Sequence, residues 1–71
     1  MGIKLVSQRE YWALENTKEQ ILFTLKYHGP KSLGELHGYV SHKNSLSSAI
    51  KELSNSQEVY YDHNDNVFWA I

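Results

Sequence analysis

The chain has 71 residues, no cysteine, 41% hydrophobic and 21% charged residues, and 7 Lys+Arg against 8 Asp+Glu for a formal charge of -1. That length suits one small core rather than two, and the lack of thiols excludes a disulfide framework, thiolate zinc and a cysteine nucleophile together. The near-zero charge excludes a strongly basic, histone-like binder of nucleic acid, and two Trp, five Tyr and two Phe are too many for a disordered tail.

Residues 1–6 read as a short N-terminal arm, too short for a signal peptide, whose alternation would let it pair as an edge strand. The longest unbroken apolar run, residues 67–71, is far short of a membrane span, which points to a cytoplasmic protein with no membrane contact. Ser7-Gln8-Arg9-Glu10 has capping-box spacing and is followed by Tyr11, Trp12 and Leu14. A second match, Thr17-Lys18-Glu19-Gln20, opens the stronger run Ile21, Leu22, Leu25. The sequence leaves open one bent helix or a short helix plus a longer one. It divides the chain into an extension over residues 1–16 and a domain over residues 17–71. Gly29-Pro30 ends the helical run, because glycine supplies a left-handed C-terminal cap and proline cannot continue the ladder. Lys26 and His28 in the last turn suit the helix dipole.

Ser32-Leu33-Gly34-Glu35 is a third capping box, with Leu33, Leu36, Tyr39 and Val40 predicting a helix of about two turns. Ser41 would close that helix or cap the next. Leu46, Ala49, Ile50 and Leu53 then fall at i, i+3, i+4, i+7, one narrow apolar stripe, with Lys43, Asn44, Ser45, Ser47, Ser48, Lys51 and Glu52 on the other face. That helix frays at Ser54-Asn55-Ser56. Val59-Tyr60-Tyr61 and residues 67–71 are β-branched and aromatic, separated by the turn-rich residues 62–66, so the C-terminus reads as a β-hairpin. Phe68 and Trp69 are adjacent, so one should pack on the helices and the other stay partly exposed. Tyr60 and Tyr61 should split the same way.

Helix, short helix, helix with a polar face and terminal hairpin is an α+β order that resembles the winged helix-turn-helix proteins. The likeness rests on Ile21-Leu22-x-x-Leu25, Leu33-x-x-Leu36, Leu46-x-x-Ala49-Ile50-x-x-Leu53, Val59-Tyr60-Tyr61 and Phe68-Trp69, and covers residues 17–71. It is a hydrophobic pattern rather than a chemical motif, similar to small bacterial, archaeal and phage regulators in general. The resemblance implies a three-helix core with a hairpin wing and a third helix, around residues 43–54, that enters the major groove. Carried over by position, it implies a DNA face of Ser41, His42, Lys43, Asn44, Ser47, Ser48 and Lys51, with His63, Asn64 and Asn66 in the wing. Asn44 could pair with adenine edges, Lys43 and Lys51 could meet guanine or phosphate, and the serine hydroxyls can take either role. The chain is also similar to the Z-nucleic-acid-binding winged helices, with Trp69 at a wing position. Ser47 and Lys51 stand where that family carries Asn and Tyr, and the hairpin lacks its proline pair, so this likeness is one of fold.

No enzyme chemistry emerges. His28, His37, His42 and His63 have no metal-ligand spacing, no serine sits in a glycine elbow, and Gly34 and Gly38 match no phosphate loop, so neither metal nor cofactor is expected. Charge is uneven: residues 29–71 carry Lys31, Lys43 and Lys51 against Glu35, Glu52, Glu58, Asp62 and Asp65, a net charge of -2. Since duplex affinity comes mostly from phosphate neutralisation, a monomer would bind weakly. The expectation is a small transcriptional regulator that binds double-stranded DNA as a homodimer, of phage or mobile-element type. Surplus apolar residues, Tyr11, Trp12 and the arm, would form an interface for a second copy or simply complete the core. The alternative is a winged helix that binds protein, such as a phage-encoded modulator of a host protein.

Overall fold

A computed structural model of the chain describes residues 8–71. The arm at residues 1–6 and the capping box that begins at Ser7 lie outside the described residues. Three helices precede an antiparallel hairpin: α1 (Gln8–His28), α2 (Leu33–His37), α3 (Leu46–Asn55), β1 (Val59–Asp62) and β2 (Val67–Ala70), with a 3-10 turn at Lys43–Ser45 running into α3. Three helices followed by a two-stranded hairpin make an α+β layout, as the sequence order implies.

The question left open at the first helix is resolved: α1 is a single helix of 21 residues, crossing residues 16 and 17 without a break. Thr17 is therefore no N-cap. It is fully buried in mid-helix, where its amide already has an i-4 partner, so its hydroxyl turns back and donates to the Ala13 carbonyl at 2.6 Å. Thr24 does the same to the Gln20 carbonyl at 2.7 Å, which lets two hydroxyls sit in the buried face with no unmet hydrogen bond. Gly29, at φ 85°, ends α1 in the left-handed region that glycine adopts without strain.

The third capping box forms as read. The Glu35 amide donates to Ser32 Oγ at 3.2 Å and the Ser32 amide donates to Glu35 Oε1 at 3.0 Å. The helix it opens is only five residues long, so Tyr39 falls beyond it and is exposed, while Leu36 and Val40 are buried. Buried Ile21, Leu25, Leu36, Val40, Leu46, Ala49, Leu53, Val59 and Phe68 form one core, flanked by Leu14, Leu22, Ile50 and Ala70. α1 lies across it, against α3 and β2.

In the hairpin Tyr60 pairs with Trp69 and Tyr61 with Phe68. Phe68 is buried and Trp69 partly exposed, as alternation requires. Tyr60 and Tyr61 point to opposite sides, Tyr61 on the face of Val59 with its ring over Phe68, 4.9 Å between centroids, yet both are exposed because Tyr61 sits at the edge of the core. Lys31, between α1 and α2, pairs with the outer edge of β2. Its amide donates to the Phe68 carbonyl at 3.2 Å and the Phe68 amide donates to the Lys31 carbonyl at 2.7 Å. β2 thus lies between β1 and a one-residue strand.

Candidate nucleic-acid interface

α3 is positioned by its apolar stripe. Leu46, Ala49 and Leu53 are buried against α1 and the hairpin, and this turns the opposite face outward. Ser47, Ser48 and Lys51, at i, i+1 and i+4, are exposed there, and Asn44 is exposed on the 3-10 turn that leads into α3. Ser41 and His42 are exposed on the approach to the 3-10 turn, as are His63, Asn64 and Asn66 at the hairpin tip.

Three of the candidate residues, Lys43, Ser41 and the hairpin's Asn66, hold structure rather than stand free. The Lys43 ammonium donates to the His37 carbonyl at 2.6 Å and the Val40 carbonyl at 3.3 Å, and so satisfies acceptors left at and beyond the end of α2. Ser41 neither closes α2 nor caps α3. Its hydroxyl accepts from Gln20 Nε2 and its amide donates to Gln20 Oε1, each at 3.0 Å, which ties the α2–α3 connection to α1. Gln20 is the positioning residue that sequence reasoning missed. Gln20 follows a polar stretch, Asn16 to Glu19, and nothing local marks it, because its partner is far away in the chain.

The hairpin tip is organised by its own side chains. Asp62 Oδ1 accepts from the Asn64 amide at 2.9 Å and the Asp65 amide at 3.4 Å, and the Tyr61 hydroxyl donates to Asn66 Oδ1 at 2.7 Å. Asn66 adopts φ 56°, a left-handed turn conformation that asparagine tolerates. The tip therefore presents His63 and Asn64 beside two aspartates, with no cation of its own.

Charge on the helices is partly self-neutralised. Lys18 on α1 bridges Glu15 at 3.1 Å and Glu52 of α3 at 3.3 Å, the two ion pairs among the described residues. The hydrogen bond to Glu15, joined by that to Glu52 and opposed by partial burial, holds the Lys18 ammonium above the ordinary lysine range. Lys51 is left as the cation that α3 itself presents outward.

All four histidines are exposed, and no three His, Asp or Glu side chains converge as a metal site among the described residues. Among the same residues no helix is long and apolar enough to cross a membrane. No family model, curated protein or solved structure matches the chain.

Proposed function

We propose that the chain binds double-stranded DNA, with α3 in the major groove. The observation that carries this reading is the outward row Ser47, Ser48 and Lys51 on α3, with Asn44 exposed on the 3-10 turn before it, on a helix whose Leu46, Ala49 and Leu53 are buried and which is followed by a hairpin. Small hydroxyl side chains keep that face slim enough for a groove, and Asn44 and Lys51 offer base-edge and phosphate chemistry at its two ends. The reading is of a regulator that works as a dimer, because one copy brings few cations to the phosphates.

The test is an anisotropy titration of a labelled random-sequence duplex, from about 50 mM to about 200 mM salt, where counterion release is largest. Lys51→Ala is expected to weaken binding and flatten the salt dependence without loss of fold. Lys43→Ala confounds the two effects, since it also removes the hydrogen bonds to the His37 and Val40 carbonyls. No binding at the lowest salt, or an unchanged slope in Lys51→Ala, overturns the assignment.

The acidic hairpin tip favours a second reading, a winged helix that docks on protein: Asp62 and Asp65 would repel phosphate where a wing should meet it. Retention of one host protein, with no duplex bound at low salt, selects that reading.

A further inference from the structure

The outer side of α1, opposite the core, carries more apolar area than a solvated helix needs. Trp12, Phe23 and Tyr27 are 70%, 58% and 73% exposed. At 100° per residue, positions 12, 15, 16, 19, 23, 26 and 27 share one third of the helix surface, so the aromatic groups lie along one line with Glu15, Glu19 and Lys26. The Phe23 and Tyr27 rings stack on each other, 4.5 Å between centroids, and present a joint apolar plate. This face is polarised along its length: the Glu15 carboxylate lies in the N-terminal half, Glu19 near the middle, and the Lys26 ammonium in the last turn. These side-chain charges oppose the helix dipole, whose positive end is the N-terminus.

A face with aromatic ends and opposite charges in its two halves is complementary to itself when reversed. We propose that it is the surface through which two copies of the chain pair, α1 against α1, antiparallel about a two-fold axis near Gln20. In that arrangement Trp12 meets Tyr27 of the second copy, and Glu15 meets Lys26, each contact occurring twice as an isologous interface demands. The two dipoles are opposed. The Glu19 carboxylates approach one another near the axis, which weakens the pair.

The size fits a reversible dimer. A helix of 21 residues offers a face about 31 Å long and about 10 Å wide. Two such faces total about 620 Å², about half of the roughly 1,200 Å² at which specific interfaces begin, so association is weak and concentration-dependent. The pairing supplies the second copy that the DNA reading calls for, yet it is measured without DNA, so either can fail alone.

The experiment is sedimentation equilibrium of the full chain from micromolar to millimolar concentration, with helical circular dichroism as the check on folding. Wild type is expected to dimerise. Phe23→Asp, Glu15→Lys and Lys26→Glu are each expected to weaken self-association about ten-fold, the loss of a central contact. Glu19→Gln is expected to tighten it. An equimolar mixture of Glu15→Lys and Lys26→Glu should pair again, because each repulsion in the homodimers becomes an attraction in the mixed dimer. A wild type that stays monomeric throughout, or single charge reversals that leave its self-association unchanged, overturns the proposal. So does a mixture no better associated than its components.

Discussion

Gln20 and Ser41 hold one another at both ends: the carboxamide oxygen takes the serine amide proton and the carboxamide nitrogen gives one to the hydroxyl, each at 3.0 Å. The pair fixes the connection between α2 and α3 to the middle of α1, upstream of the 3-10 turn from which α3 starts. Gln20→Leu keeps the helix propensity and removes both bonds. A loss of about 1 kcal/mol is expected, since the pair is solvent-accessible. Amide hydrogen exchange checks it: the Ser41 amide should lose protection selectively, whereas a uniform loss over α1 would mean that the bond pair positions nothing.

Gln57 ends α3 at φ 61°. Around it the Glu58 amide donates to the Leu53 carbonyl at 2.9 Å and the Gln57 amide to the Ser54 carbonyl at 3.1 Å, the two bonds of a Schellman cap. A side chain in that left-handed position is strained. Gln57→Gly is expected to stabilise the fold by about 0.5–1 kcal/mol and Gly29→Ala to destabilise it by about 1 kcal/mol, read from urea midpoints. Opposite signs at two helix ends are the outcome to look for.

The Ser32 amide, with the Ser32 hydroxyl contact beside it, holds the Glu35 carboxyl below the ordinary glutamate range. A depressed folded-state value means that this stabilisation is complete above the ordinary carboxyl pKa and fades as pH falls through the folded value. Glu35→Gln keeps an acceptor but removes the titration. The gap between unfolding midpoints at about pH 7 and about pH 3 should narrow in that variant, and an unchanged gap would remove the capping carboxylate from the acid response.

Phe68 is the one aromatic ring in the core, and its backbone pairs on both sides, with Lys31 and with Tyr61. Phe68→Ala should cost about 3–5 kcal/mol, comparable to the whole stability of a domain this small. Circular dichroism should show it largely unfolded at body temperature, while Phe68→Leu should remain folded.

Thr17→Val is the contrasting buried change. The hydroxyl it removes only shares a carbonyl that the helix already satisfies, so stability should shift by less than about 1 kcal/mol in either direction.

Local signals carried most of the fold into the sequence. The Leu46, Ala49, Leu53 stripe, the Ser32–Glu35 box, Gly29 as a cap and the hairpin at residues 59–70 can each be read within a few residues, because caps, periodicity and turns are short-range physics. Thr17 misled for the same reason: its spacing matches a cap, and only the continuity of α1 around it shows that no helix starts there. The outer face of α3 was equally legible, since it is whatever the buried stripe leaves. What each polar group does was not. Lys43 turning onto α2 and Gln20 reaching Ser41 depend on contacts between segments that no spacing encodes. Phe23 and Tyr27 could have been found, because they fall at i+11 and i+15 from Trp12, on the side of the helix away from Ile21 and Leu25.

The two hydrogen bonds between Lys31 and Phe68 also bear on folding kinetics. They close a ring that contains α2, α3 and β1, so the hairpin cannot dock until the chain on both sides of those elements has met. The helices need only local contacts and should form early, leaving ring closure as the slow, entropically costly step. Phe68→Leu should then slow refolding more than it speeds unfolding, and stopped-flow chevrons on the two proteins would show whether that ring is already shut at the barrier.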